Sequence, residues 1–100
     1  NWLMAEYLLS PRAQQSLVQI SQYTLDNFGE RQKNRYLKML RSRMRTAAKN
    51  PEKGKVREDI KAGYYCVQAE KHNIFYRIRD SRIEIIDVLH QSMEPNIHIG

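Results

Sequence analysis

The chain has 100 residues, 41% hydrophobic and 28% charged, with a net charge of +6. That length sets one domain around a single two-layer core, and the apolar share excludes a chain disordered throughout. Its one cysteine, Cys66, excludes an internal disulfide and a site built from thiolates, and no apolar run approaches the roughly 18 residues of a membrane span.

Asn1, Trp2 and Leu3 precede a candidate start at Met4, so the domain is taken as residues 4–100, with the first three as an extension or cloning remnant. The opening residues lack the basic start and apolar middle of a signal peptide, which makes the cytoplasm the expected compartment. Residues 5–9 read as a short strand. Ser10-Pro11 then supplies a capping hydroxyl followed by a proline whose missing N–H is harmless in the first helical turn. Ala13, Leu17, Ile20, Thr24 and Phe28, flanked by Val18 and Leu25, keep helical spacing, and Gly29 is placed to end that helix in a left-handed turn. Glu30 opens a second helix at the positive end of its dipole. Tyr36, Leu37, Leu40, Met44, Ala47 and Ala48 recur at three- and four-residue steps until Asn50-Pro51 stops them.

After a polar connection over residues 51–63 the period changes to two. Tyr65, Val67 and Ala69 alternate with Tyr64, Cys66 and Gln68, and Ile74, Tyr76 and Ile78 alternate with Phe75, Arg77 and Arg79. A last run, Ile83, Ile85, Ile86, Val88 and Leu89, is apolar on both faces and reads as the central strand. Short turns at residues 71–73 and at Asp80-Ser81 make these strands antiparallel hairpins. The expected fold is α+β, in the order β-α-α-β-β-β, with an antiparallel sheet packed on one face by the α-hairpin. Residues 93–100 form a tail too polar to assign.

Charge is unevenly placed. Residues 30–57 hold eleven cations against Glu30 and Glu52, a segment charge of +9, while the remainder carries −3. Such a segment attracts nucleic acid, an acidic protein or an anionic surface, or is a solvated helix face. His90 ends the last strand and reads as a structural residue or a general base. His72 and His98 fall in a turn and a tail without ligand spacing, so no metal and no cofactor is expected. Glu84 and Asp87, three apart on a strand, point to opposite faces and make no carboxylate pair. Cys66 reads as a packing residue, and Tyr64, Tyr65 and Tyr76 as sheet residues before a base-stacking platform.

The run Asn73-Ile74-Phe75-Tyr76-Arg77-Ile78, a two-residue turn and Ile83-Glu84-Ile85-Ile86-Asp87-Val88-Leu89-His90 resemble the closing hairpin of ParE-type toxins in the ParE/RelE superfamily. Ser10-Pro11-Arg12-Ala13 is similar to the start of their first helix. The resemblance implies the toxin of a type II toxin–antitoxin pair, plasmid- or chromosome-borne. It further implies neutralisation by a ParD-like antitoxin, and inhibition of DNA gyrase, through its A subunit, by contact and without catalysis. It implies a hetero-oligomer with the antitoxin, which alone touches DNA. Leu17, Ile20, Tyr36, Leu40 and Met44 are the residues expected to bind antitoxin. Arg41, Arg45, His90, Met93 and Ile97 are those expected to bind the target.

The superfamily also holds RelE-like ribosome-dependent mRNA endoribonucleases, which need a base, an acid and cations on the phosphate. That alternative places His90 as base with Arg57 and Arg77 on the phosphate, and Lys53 and Lys55 nearby. No tyrosine follows His90, and Tyr65 stands where the nucleases often carry an arginine, which favours a non-enzymatic toxin. His90 gathered with arginines and a second acid–base group in an open cleft would reverse that preference.

Overall fold

The computed structural model describes residues 7–99. Strand β1 is Tyr7–Leu9, the part of the expected first strand that lies within the described residues. Helix α1, Pro11–Phe28, starts where the sequence places it: the Ser10 hydroxyl oxygen accepts the Ala13 N–H at 3.0 Å while donating to the Ile86 carbonyl at 2.7 Å. One serine thus caps a helix and ties it to the last strand. Gly29 turns the chain with φ +90° but an extended ψ of 172°, so it is a positive-φ joint and not the left-handed helical turn expected. Helix α2, Glu30–Lys49, follows at once, with acid in its first turn and lysine in its last, as its dipole favours.

A 3₁₀ turn, Pro51–Lys53, leads to strand β2, Lys55–Val56, which lies within the expected polar connection. Two residues are too few to show a period. Strands β3, Tyr64–Ala69, β4, His72–Arg79, and β5, Arg82–His90, form the meander, joined by the two-residue turns Glu70-Lys71 and Asp80-Ser81. Glu70 and Asp80 take positive φ there, 53° and 58°. A short helix α3, Pro95–His98, closes the described chain.

The sheet has the order β1-β5-β4-β3-β2. Two expectations are corrected by it. Strand β1 pairs with β5 in parallel, Tyr7 opposite Ile83 and Leu9 opposite Ile85, so the sheet is mixed. Strand β5 is interior, but β4 is central; β5 is apolar on both faces because both its faces are covered. The α-hairpin covers one face over Ala13, Ile20, Tyr36, Leu40, Met44, Ile74, Tyr76, Ile83 and Ile85. On the other, Cys66, Phe75 and Leu89 pack under Ile60, Ile86 and Ile99. Burying each large apolar side chain contributes about 1.5–3 kcal/mol, so the helix side supplies most of the stability.

A bulge interrupts the β4–β5 ladder. Phe75 faces Asp87 and Tyr76 faces Ile85, leaving Ile86 as the extra residue. Ile83 and Ile85 point to the helices; beyond the extra residue Val88 does so, and His72 comes opposite His90. Phe28, expected on the inner face of α1, is 63% exposed, and Val18, expected to flank that face, is 67% exposed.

Candidate functional site: two grooves flanking the first helix

Helix α1 presents a different groove on each flank. On one side Arg12, Ser16, Gln19 and Tyr23 face Val88, His90, Met93 and His98 across a groove of about 540 Å³. Its floor is the cross-strand pair of His72 and His90, whose rings meet edge to face at 5.4 Å. A smaller hollow of about 240 Å³ continues past Tyr23 and His72 to Phe28, itself in edge contact with Tyr23.

The hydrogen bonds fix what these groups can do. The Tyr36 hydroxyl lies 2.6 Å from His72 Nδ1 and accepts the Lys71 N–H at 3.2 Å. Burial, and next to it the neighbouring His90, pushes the His72 pKa down to about 4, so this ring is neutral near pH 7. Burial raises the Tyr36 phenol, which therefore stays protonated. At His90 the Ser92 N–H donates to Nδ1 at 3.2 Å. A backbone N–H can only donate, so Nδ1 holds the lone pair and the proton of the neutral ring sits on Nε2. Neutral His90 therefore presents a donor; its one basic nitrogen is already engaged. Asp87 Oδ1 accepts the Ser16 hydroxyl at 2.5 Å and the Val88 N–H at 2.8 Å. The Arg12 guanidinium donates to the His98 carbonyl, clasping α1 to α3.

On the opposite flank Tyr7 and Leu9 of β1, Leu17 and Val18 of α1, and Leu37 and Arg41 of α2 line a groove of about 410 Å³. Most of its lining is apolar, with Ser21 and Gln22 on the α1 side and one cation, Arg41, at the rim. It runs beside β1, whose outer edge has no strand partner among the described residues.

The structure sorts the residues expected from the sequence. Of the antitoxin set, Leu17 lines the groove beside β1, Ile20 and Tyr36 are buried but reach the histidine groove and the smaller hollow respectively, and Leu40 and Met44 are completely buried. An apolar stripe at helical spacing turns toward the sheet, and the rim is built by its neighbours, so those four shape the surface from beneath. Of the target set, His90 and Met93 share the histidine groove and Ile97 is 78% exposed on α3. Arg41 sits at the other groove and Arg45 on the outer face of α2. These five do not form one patch. The nuclease set is divided as well. Arg57 pairs with Asp59 at 2.9 Å over the Phe75 ring, and Arg77 pairs with Glu84 at 2.8 Å, on the sheet face opposite the histidines.

His72, expected in a turn, is the first residue of β4 and the partner of His90. A plain count back from the Asp80-Ser81 turn places Leu89 across from His72; only the extra residue in β5 brings His90 there. Glu84 and Asp87 diverge as expected, one to Arg77 and the other to Ser16. Tyr65 and Tyr76 stack on each other at 5.5 Å, with Tyr76 buried, which makes them core residues. Cys66 is buried and its thiol pKa is raised by burial. No cluster of three or more metal-ligating side chains occurs among the described residues, and none of the described helices is long and apolar enough to cross a membrane.

An α-hairpin laid on a meander, with a parallel N-terminal strand and a groove on each flank of the first helix, defines a small α+β protein of the ParE/RelE class. Within that class the chain belongs to the ParE toxin family of type II toxin–antitoxin systems (parDE), whose family model matches residues 7–95. It is 38% identical over 93 residues to Toxin ParE1 of Mycobacterium tuberculosis H37Rv, covering 92% of this chain and 95% of that protein. It is 37% identical over 97 residues to Toxin ParE1 of Caulobacter vibrioides, covering 97% of this chain and 100% of that one. In fold it is similar to a chain of the chromosomal ParDE system from P. aeruginosa, with a TM-score of 0.75 at 13% identity, over 87% of this chain and 96% of that one.

Proposed function

We propose that this toxin acts by occupying a surface of DNA gyrase, through its A subunit, in the cytoplasm, and that a ParD-like antitoxin silences it. The hydrogen bonding of His90 carries contact over catalysis. With Nδ1 engaged by the Ser92 N–H and the proton on Nε2, the ring has no free lone pair to draw a proton from a nucleophile. The cations that a nuclease would place on the phosphate, Arg57 and Arg77, lie on the far face and are paired with carboxylates.

The antitoxin is placed in the groove beside β1. Leu17, Val18 and Leu37 offer apolar area, Arg41 a cation at the rim, and the open edge of β1 a backbone ladder for an added strand. A weakly structured acidic segment needs that combination, because its ordering must be offset by buried apolar surface. Gyrase is placed at the other flank, on His90, Met93 and Ile97, with Arg41 and Arg45 as further contacts. Operator DNA is then reached through the antitoxin, in a hetero-oligomer.

The test is a supercoiling assay with purified gyrase. Inhibition with a trapped cleavage complex, relieved by the antitoxin, is the expected result; neither inhibition nor cleavage complex would defeat the reading.

One observation favours a ribosome-dependent nuclease instead: His90 does share an open groove with a second titratable ring, His72, and with Arg12 and His98. Arg12 is the one arginine among the described residues of that groove, and it is bound to the His98 carbonyl. Cleavage of mRNA on ribosomes that vanishes in His90→Ala would establish this alternative.

A further inference from the structure

The outer face of α2 carries Arg31, Lys38, Arg45 and Lys49, four exposed cations in helical register. We propose that this stripe binds the phosphodiester backbone of a nucleic-acid duplex directly, in addition to any contact made through the antitoxin. Steps of seven, seven and four residues keep the four on one line, and at about 1.5 Å rise per residue the line is about 27 Å long. That matches about eight base pairs of a duplex carrying one charge per ~1.7 Å of axis.

The stripe is not an ordinary solvated face. Such a face carries acids three or four residues from its cations, and these pairs stabilise the helix. Helix α2 has eight cations and a single acid, Glu30. Arg35 is held by Glu70 and Arg43 by the Gln68 carbonyl, while no ion pair among the described residues holds the four of the stripe. Arg31 also lies in the first turn, where the helix dipole disfavours a cation. A segment that folds as it binds fits poorly along the stripe. The side chains interleaved with the stripe are Asn34, Ser42 and Thr46, so the surface has no apolar centre to order a folding segment, whereas phosphate recognition needs none.

The probe is a 20-base-pair duplex of DNA, with an RNA duplex of equal length to identify the source of the phosphates, titrated with the full chain between 50 and 200 mM salt. Four phosphate contacts predict a log–log slope of about −3.6, an affinity loss of about 150-fold over that range. Each single change to glutamine, such as Arg45→Gln or Lys38→Gln, lowers the slope by about 0.9, and the quadruple variant abolishes binding while its circular dichroism is unchanged. No duplex binding at 50 mM salt, or a slope unmoved by these substitutions, overturns the proposal. So does polyglutamate binding as tightly as either duplex, which would assign the stripe to an acidic protein. Gyrase inhibition is read separately, so either reading can fail without the other.

Discussion

The hydroxyl of Tyr36 and Nδ1 of His72 lie 2.6 Å apart, joining α2 to the first residue of β4 beneath the histidine groove. The same hydroxyl accepts the Lys71 N–H, so one phenol fixes both the turn and the ring. Tyr36→Phe leaves both groups unmet in a partly buried place and lowers stability by about 1–2 kcal/mol, read from urea unfolding. A variant as stable as the parent would show that the bond contributes nothing.

Acid should weaken the fold through His72. An unfolded histidine takes up its proton near 6.5, but the folded ring does so only near about 4. Between those values the unfolded chain holds more protons, so stability is fully present above pH 6.5 and is lost as the pH falls toward 4. The half-buried ring reduces the loss to about 2 kcal/mol. Urea midpoints of the parent and His72→Gln, taken at pH 7.5, 5.5 and 4.5, should converge in acid; a constant gap refutes the assignment.

Gly54 is required by closeness, since its φ is ordinary. A methyl group there would run into the Tyr76 hydroxyl, whose ring is fully buried and whose O–H donates to the Pro51 carbonyl at 2.6 Å. The ring has nowhere to move, so Gly54→Ala costs about 1–3 kcal/mol. Thermal unfolding checks this, and an unchanged midpoint would mean that the loop yields instead.

Surface and interior of the α-hairpin are separable. Leu40→Ala empties a fully buried position and costs about 2–5 kcal/mol. Val18→Glu changes an exposed residue of the groove beside β1, leaving stability within about 0.5 kcal/mol. If the antitoxin lies in that groove, Val18→Glu weakens its binding at least tenfold by calorimetry. Unaltered affinity would move the antitoxin elsewhere.

Much of the fold is legible in the residues. Ser10-Pro11 marks the start of α1, Gly29 the joint of the hairpin, and the change of period the meander. Other features leave no local trace. Strand β2 is two residues long, and nothing in Tyr7–Leu9 says that it will lie parallel to β5 rather than antiparallel. That choice is made by where the returning chain places β5. The site was less readable than the fold: apolar spacing identifies Leu40 and Met44 as inward-facing, while the groove beside β1 is built by residues such as Val18 and Arg41 that lie off that stripe. His72 and His90 meet through a register set by one extra residue.

That extra residue, Ile86, bears on how relatives should be compared. A homologue that keeps all nine residues of this strand but pairs them without the bulge turns its final histidine to the back of the sheet, whereas one that lacks the residue itself brings its histidine back opposite the place of His72. Alignments that absorb a one-residue gap anywhere along this strand will equate side chains that look in opposite directions.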